Sequence, residues 1–340
     1  MLHGHGDDGY KYGREILADF STNVWYGAEP AGMKEYVFER WNHVNRYPEV
    51  VSESLREKIA LHHKCAVNEV IASNGTAESI YLIAQLFTGK KSTIVIPAFS
   101  EYEDSCLIFD HEVTFLNWKE ALELPVLRTD LVFICNPNNP TGQIFPDLEY
   151  WLKLNPHCVF VVDEAFIDFT LDLKSIAPLV QRYPNLILMR SLTKTYAIPG
   201  LRLGYLLAHE DMINRLMAIK PPWTVNALAA AAGTFIFENW PDIQLPIQQI
   251  MADKDAFVRE LRENDAIAIE DSSTHFFTGK TMVKSARQLK EFLLNNHQLL
   301  IRDAANFRSL NRQHFRIATL SSQHNRLLIK ALEEWKTLYY

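Results

Sequence analysis

Short apolar runs rich in β-branched residues alternate with longer stretches of helical spacing through the first two thirds of the chain. The runs are Val70-Ile71-Ala72, Thr93-Ile94-Val95-Ile96, Leu131-Val132-Phe133-Ile134-Cys135, Val159-Phe160-Val161-Val162, Leu186-Ile187-Leu188-Met189 and Leu203-Gly204-Tyr205-Leu206-Leu207. Each is apolar on both faces, as strands covered on both sides must be, and so predicts a mainly parallel sheet. Segments such as Ala77 to Phe87 repeat their apolar positions with helical period and predict the crossovers. The pattern is that of a doubly wound α/β domain. From about Pro241 the rhythm changes. A helix over Ile247 to Glu263, strands at Ala266–Ile269, Leu299–Ile301 and Phe315–Ala318, and helices near Ser285–Asn296 and from Ser322 predict a smaller α+β unit. The division expected is an N-terminal arm over 1–30, a large domain over 31–235 and a small domain over 236–340.

With 340 residues the chain is long enough for two such units. A 48% hydrophobic and 22% charged composition is that of an ordinary globular protein. Lys and Arg number 34 against 41 Asp and Glu, a net charge of −7, with no long basic run, so no nucleic-acid partner is expected. The apolar stretch Ala227–Phe237 is too short to span a bilayer, so no membrane partner is expected either. Cys65, Cys106, Cys135 and Cys158 have no C-x-x-C spacing and lie in or beside apolar segments. They read as free, mostly buried thiols in a reducing compartment. The start, Met1 to Asp8, shows no signal-peptide pattern, so a cytoplasmic location is expected. No metal site is read.

The chemistry sits just past the C-terminal ends of the predicted strands, where such sheets place their ligands. Asn139, in Asn136-Pro137-Asn138-Asn139-Pro140-Thr141-Gly142, follows the strand ending at Cys135. Asp163 closes the Val159 strand, and Ser191-Leu192-Thr193-Lys194 follows the strand ending at Met189. These parts suit pyridoxal phosphate (PLP): a lysine to form a Schiff base, hydroxyls and Arg202 for the phosphate, an aspartate for the pyridine nitrogen, an asparagine for the ring oxygen. Singly, each has a plainer reading: Lys194 a surface lysine, Arg202 a surface ion pair, Asp163 a helix cap, and Asn139 part of a turn. Gly75, in Ser73-Asn74-Gly75-Thr76, allows close approach at a helix start whose free N–H groups attract anions. The plainer reading is an ordinary helix cap by Asn74 or Thr76, and both can be true. Phe99 could stack on the ring or simply pack in the core.

At these residues the chain resembles the fold-type I PLP enzymes of the aminotransferase superfamily, in the branch holding histidinol-phosphate aminotransferases and threonine-phosphate decarboxylases. The resemblance covers essentially the whole chain. It is closest to the decarboxylases in Arg190 to Tyr205, Pro222 to Ala229, Asp163 to Phe169 and Leu300 to Asn306. It implies Lys194 as the Schiff-base lysine, Asp163 at the pyridine nitrogen and Asn139 at the ring oxygen. It further implies Gly75, Thr76, Ser191, Thr193 and Arg202 at the cofactor phosphate, with Phe99 stacked on the ring. Tyr47 matches a tyrosine that reaches the phosphate in a partner subunit, which implies a homodimer with shared sites. Arg316 matches the arginine for the substrate carboxylate; Arg302 and His5, with His3 as an alternative register, match positions for a substrate phosphate; Asn23 is implied in the same substrate site. Phe166 stands where aminotransferases usually carry tyrosine, as in decarboxylase-like sequences. The activity implied is decarboxylation of O-phospho-L-threonine in cobalamin biosynthesis. The alternatives are a histidinol-phosphate aminotransferase and a PLP-binding protein without turnover.

Overall fold

The structure, a computed structural model, describes residues 6, 8–13 and 15–340. After a two-residue strand β1 (Ala18–Asp19), the chain lays down β2 (Val70–Ser73), β3 (Lys91–Ile96), β4 (Glu112–Asn117), β5 (Leu131–Cys135), β6 (Val159–Asp163), β7 (Leu186–Ser191) and β8 (Gly204–Ala208). The last seven form one sheet in the order β2-β8-β7-β6-β5-β3-β4. β3, β4, β5, β6 and β7 pair in parallel, and β8 runs antiparallel to both its neighbours. The six long apolar runs all lie in this sheet. Each face carries its own buried cluster, one around Val162, Leu188 and Trp151, the other around Val161, Met189 and Tyr102. Burial on both faces explains why these strands read as unbroken apolar runs.

β4 was not anticipated. It is an edge strand whose residues Glu112, Thr114, Phe115 and Asn117 face outward, so it lacks the double-sided apolar signal.

The C-terminal part adds β9 (Ile267–Ile269), β10 (Phe276–Thr281), β11 (Leu299–Leu300), β12 (Arg302–Asp303) and β13 (His314–Ala318). Four of these form an antiparallel sheet, β12-β13-β10-β9. β10 also escaped the sequence reading, because Thr278-Gly279-Lys280 looks like a turn. Gly279 instead sits mid-strand with the Phe315 ring over it, where an added Cβ would meet that ring at 2.7 Å. The single strand expected over Leu299–Ile301 is divided. Leu299–Leu300 pairs in parallel with β1, while Arg302–Asp303 joins the four-stranded sheet. The segment around β1 is thereby tied to the C-terminal part: Ala18 and Phe20 lie in one buried cluster with Phe257, Phe315 and Trp335. Cys106, Cys135 and Cys158 are buried, Cys65 is partly so, and all four are free thiols. Among the described residues, no helix is long and apolar enough to cross a membrane.

Candidate active site

A cavity of about 610 Å³ opens at the C-terminal ends of β5, β6 and β7 and is closed on its other side by the antiparallel sheet. Gly75, Thr76, Phe99, Asn139, Asp163, Ser191, Thr193, Lys194 and Arg202 all line it, and so do Asn23, Arg302 and Arg316. Twelve residues scattered over nearly three hundred positions converge here: Asn139, Asp163, Ser191, Thr193 and Lys194 at or just past the ends of parallel strands, and Arg302 and Arg316 from within the antiparallel sheet.

At one end lies a cradle for an anion. Gly75 opens the helix Gly75–Leu86 with φ of +76°, a left-handed conformation that glycine adopts without strain. A Cβ there would lie 2.6 Å from Nη2 of Arg202. The Ser191 and Thr193 hydroxyls are 2.9 Å apart beside it. The Asn74 side chain makes no cap hydrogen bond, and the Glu78 carboxylate accepts from the Asn74 backbone N–H at 2.6 Å. A helix start without a side-chain cap suits an anion at this end of the cavity.

Lys194 sits in the four-residue helical turn Leu192–Thr195, and its carbonyl accepts from the Trp25 N–H at 2.9 Å. Asp163 is 4% exposed at the end of β6. Its Oδ2 accepts from the Tyr102 hydroxyl at 2.7 Å and its Oδ1 from the Ala165 N–H at 2.9 Å. Burial pushes the Asp163 carboxyl above its ordinary value, against those two hydrogen bonds and the charge of Lys194. A cation held against Asp163 would relieve that cost, and a protonated pyridine nitrogen is such a cation. Tyr102, stacked on Phe133 and edge-on to Phe99, was not singled out from the sequence. Its signal was its place one helical turn after Phe99, on the same face.

The opposite wall is cationic. Arg316 donates from Nη1 to Asn139 Oδ1 and from Nη2 to the Ser21 carbonyl, both at 2.5 Å. Burial, and after it the like charge of Arg302, pushes Arg316 down to about 9. Guanidinium groups rarely give up their proton, so this cost appears as a demand for an anion. Among the described residues, Arg316 Nε and both polar side-chain atoms of Asn23 are buried without a hydrogen-bond partner. An α-carboxylate placed there would accept from Arg316 Nε and from Asn23 Nδ2. Arg302 donates to the Asp303 carbonyl at 2.8 Å and to Asn306 Oδ1 at 2.7 Å, with its guanidinium 5.4 Å from the centre of the Phe307 ring. Phe166 lines the cavity and also packs edge-on against Phe276, with ring centres 4.8 Å apart.

Among the expected residues, Tyr47 stands apart from this lining. Tyr47 lines a different hollow, is 87% exposed and packs on Trp223, with ring centres 5.3 Å apart. His5, like His3, lies outside the described residues, although Gly6 beside it lines the cavity.

The family model described as "Aminotransferase class I and II" matches residues 19–332. The chain belongs to that family. Among solved relatives of this aminotransferase-family chain is the L-threonine-O-3-phosphate decarboxylase of Porphyromonas gingivalis. It is 34% identical, with a TM-score of 0.91 over 94% of this chain and 99% of the other. The threonine-phosphate decarboxylase of Salmonella typhimurium is 30% identical over 93% of this chain and 90% of its own length. The histidinol-phosphate aminotransferase of Caldanaerobacter subterraneus is 28% identical over 86% and 85%. For a member of this family the residues present fit PLP. The glycine cradle and hydroxyls suit its phosphate, buried Asp163 its ring nitrogen, the Asn139 amide nitrogen its ring oxygen, and Lys194 its aldehyde.

Proposed function

We propose that this chain is a PLP-dependent decarboxylase that converts O-phospho-L-threonine to aminopropanol phosphate and CO2. The observation that carries the reading is the pair of buried arginines, Arg302 and Arg316, on the wall facing Lys194. A substrate with one carboxylate and one phosphate has an anion for each. Support comes also from Phe166, which puts an apolar ring where aminotransferases usually have a tyrosine, and from the two decarboxylase relatives. When bound, PLP supplies a ring that accepts the electron pair left at the α-carbon.

Arg316, with Asn23 beside it, would bind the α-carboxylate, and Arg302 the phosphate. Two charged anchors on so small a molecule restrict rotation about its α-carbon, and that rotation decides which bond breaks. Asp163, held by Tyr102 and the Ala165 amide, would keep the ring nitrogen protonated. Lys194 Nζ would return a proton to the α-carbon after CO2 leaves. The apolar wall of Phe99 and Phe166 would limit water at that carbon. By its product the enzyme would serve cobalamin assembly. The test is to incubate the PLP-loaded protein with phosphothreonine, with and without 2-oxoglutarate, and follow CO2 and keto acid. CO2 released without need of the keto acid is the expected result. Transfer of the amino group from histidinol phosphate to 2-oxoglutarate, with no CO2 from phosphothreonine, would favour the aminotransferase reading instead.

The working unit in this reading is a homodimer. Tyr47 projects its ring into solvent beside Trp223, away from the cavity of its own chain, and so would serve the cofactor phosphate of a second copy. Mixing inactive Lys194→Ala protein with Tyr47→Phe protein should restore part of the activity, because hybrid dimers contain one unmutated site. A fully active monomer in sedimentation would overturn this.

A further inference from the structure

Beneath the cavity floor lies a buried charge network that the mechanism above does not use. Arg190, the residue before Ser191, extends its guanidinium between two carboxylates. Its Nη1 is 3.3 Å from Glu164 Oε2, and its Nη2 is 2.8 Å from Asp168 Oδ1. The arginine and Glu164 side chains are 8% and 2% exposed, and Asp168 is 25% exposed. Asp168 Oδ2 accepts from the Thr195 hydroxyl at 2.8 Å. Glu164 accepts from the Ser175 hydroxyl at 2.6 Å and the Ile176 N–H at 2.8 Å. Two carboxylates against one guanidinium is an expensive arrangement to bury, and apolar side chains of the same volume would commonly be no less stable. Its members sit next in sequence to the groups proposed for the chemistry: Glu164 follows Asp163, and Thr195 follows Lys194.

Lys194 needs such outside support. One turn of helix, Leu192–Thr195, is too short to be stiff by itself. Besides backbone bonds from Leu192 and Thr193 to Leu203 and Ile198, the turn is tied by the Trp25 amide on the Lys194 carbonyl and by the Thr195 hydroxyl on Asp168, the last of which links it to the buried charges. Asp163 ends a strand whose next residue, Glu164, is anchored three ways.

We propose that Arg190, Glu164, Asp168 and Thr195 form a positioning device that holds the Lys194 turn and the Asp163 strand end in one fixed relation across the cavity floor. This rests on Lys194 and Asp163 having the roles proposed above. The network touches neither substrate nor cofactor; it acts through the two residues it braces.

Thr195→Val tests the link with almost no change of shape, since it exchanges the hydroxyl for a methyl. In the PLP-loaded enzyme, kcat should fall about tenfold while KM for phosphothreonine stays within about twofold. Thr195→Ser, which restores the hydroxyl, should recover kcat to within about threefold of the parent. Independently of turnover, PLP added to stripped protein should become fixable by borohydride at Lys194 about tenfold more slowly in Thr195→Val. Asp168→Asn keeps the volume, removes the charge and should act in the same direction, so the proposal does not hang on how Thr195 packs. An undiminished kcat and attachment rate in both Thr195→Val and Asp168→Asn, with the label still on Lys194, would overturn the positioning role. Equal loss in Thr195→Val and Thr195→Ser would do the same. A label on some other lysine would instead refute the underlying assignment of Lys194.

Discussion

Replacing Lys194 by alanine should lower turnover of phosphothreonine by at least about 10⁴-fold, because one side chain would serve as both cofactor attachment point and proton donor. The fold should survive. The Lys194 carbonyl, not its side chain, takes the Trp25 amide, and the turn keeps its Thr195 contact with Asp168. Borohydride reduction of the PLP-loaded parent, followed by peptide mapping, should place the cofactor on Lys194; Lys194→Ala should take up no borohydride-fixed cofactor. The assignment fails if the label maps to another lysine or if Lys194→Ala retains turnover within tenfold of the parent. A partial loss, near a hundredfold, would mean that Lys194 attaches the cofactor but another group returns the proton.

Much of the sheet was legible because its strands are buried on both faces and carry unbroken apolar runs. What escaped lacked that signature for identifiable reasons. β4 lies at an edge with polar residues outward, and β10 carries a glycine mid-strand because the Phe315 ring leaves no room for a side chain. The cavity lining was legible to a similar degree, since a residue just past a strand end is marked by position as well as by type. Contacts from a second layer leave no such mark. Tyr102 reaches Asp163 across 61 residues, Arg190 reaches Glu164 across 26, and Arg316 reaches Ser21 across 295. Only the folded chain brings these together, and Tyr102 among them lowers the cost of burying the Asp163 charge. Asn74 offered a helix cap by its place in the sequence, but its side chain makes no cap hydrogen bond; Glu78, joined to Lys220 at 2.5 Å, instead reaches back to the Asn74 backbone N–H, a contact the local residue types do not mark.

Arg302→Ala should raise the KM for phosphothreonine by roughly thirtyfold or more. Removing one partner of a buried charge-assisted contact typically costs about 2–5 kcal/mol, and about 1.4 kcal/mol corresponds to a factor of ten. The side chain is 7% exposed, with burial pushing its guanidinium below the ordinary arginine range, against the charges of Asp303 and Asp8. A phosphate would add a doubly charged, hydrogen-bond-accepting partner to a guanidinium that also donates to the Asp303 carbonyl and Asn306 Oδ1. Arg308, on the same wall, is a poor substitute. The Nε–Nη2 edge of its guanidinium is held by the two oxygens of the Glu103 carboxylate, with Nε to Oε2 at 2.5 Å, which already offsets its charge, and it lies 4.1 Å from the centre of the Phe115 ring. Because Arg302 is assigned to the phosphate and not to the cofactor, borohydride labelling of Lys194 in Arg302→Ala should match the parent. Turnover of unphosphorylated L-threonine, expected to be slow in the parent, should change little in Arg302→Ala, so the preference for the phosphorylated substrate should shrink by the same factor of about thirty. If Arg302→Ala instead weakens both substrates equally, the phosphate must be held elsewhere and Arg302 serves only to brace the wall around Arg316.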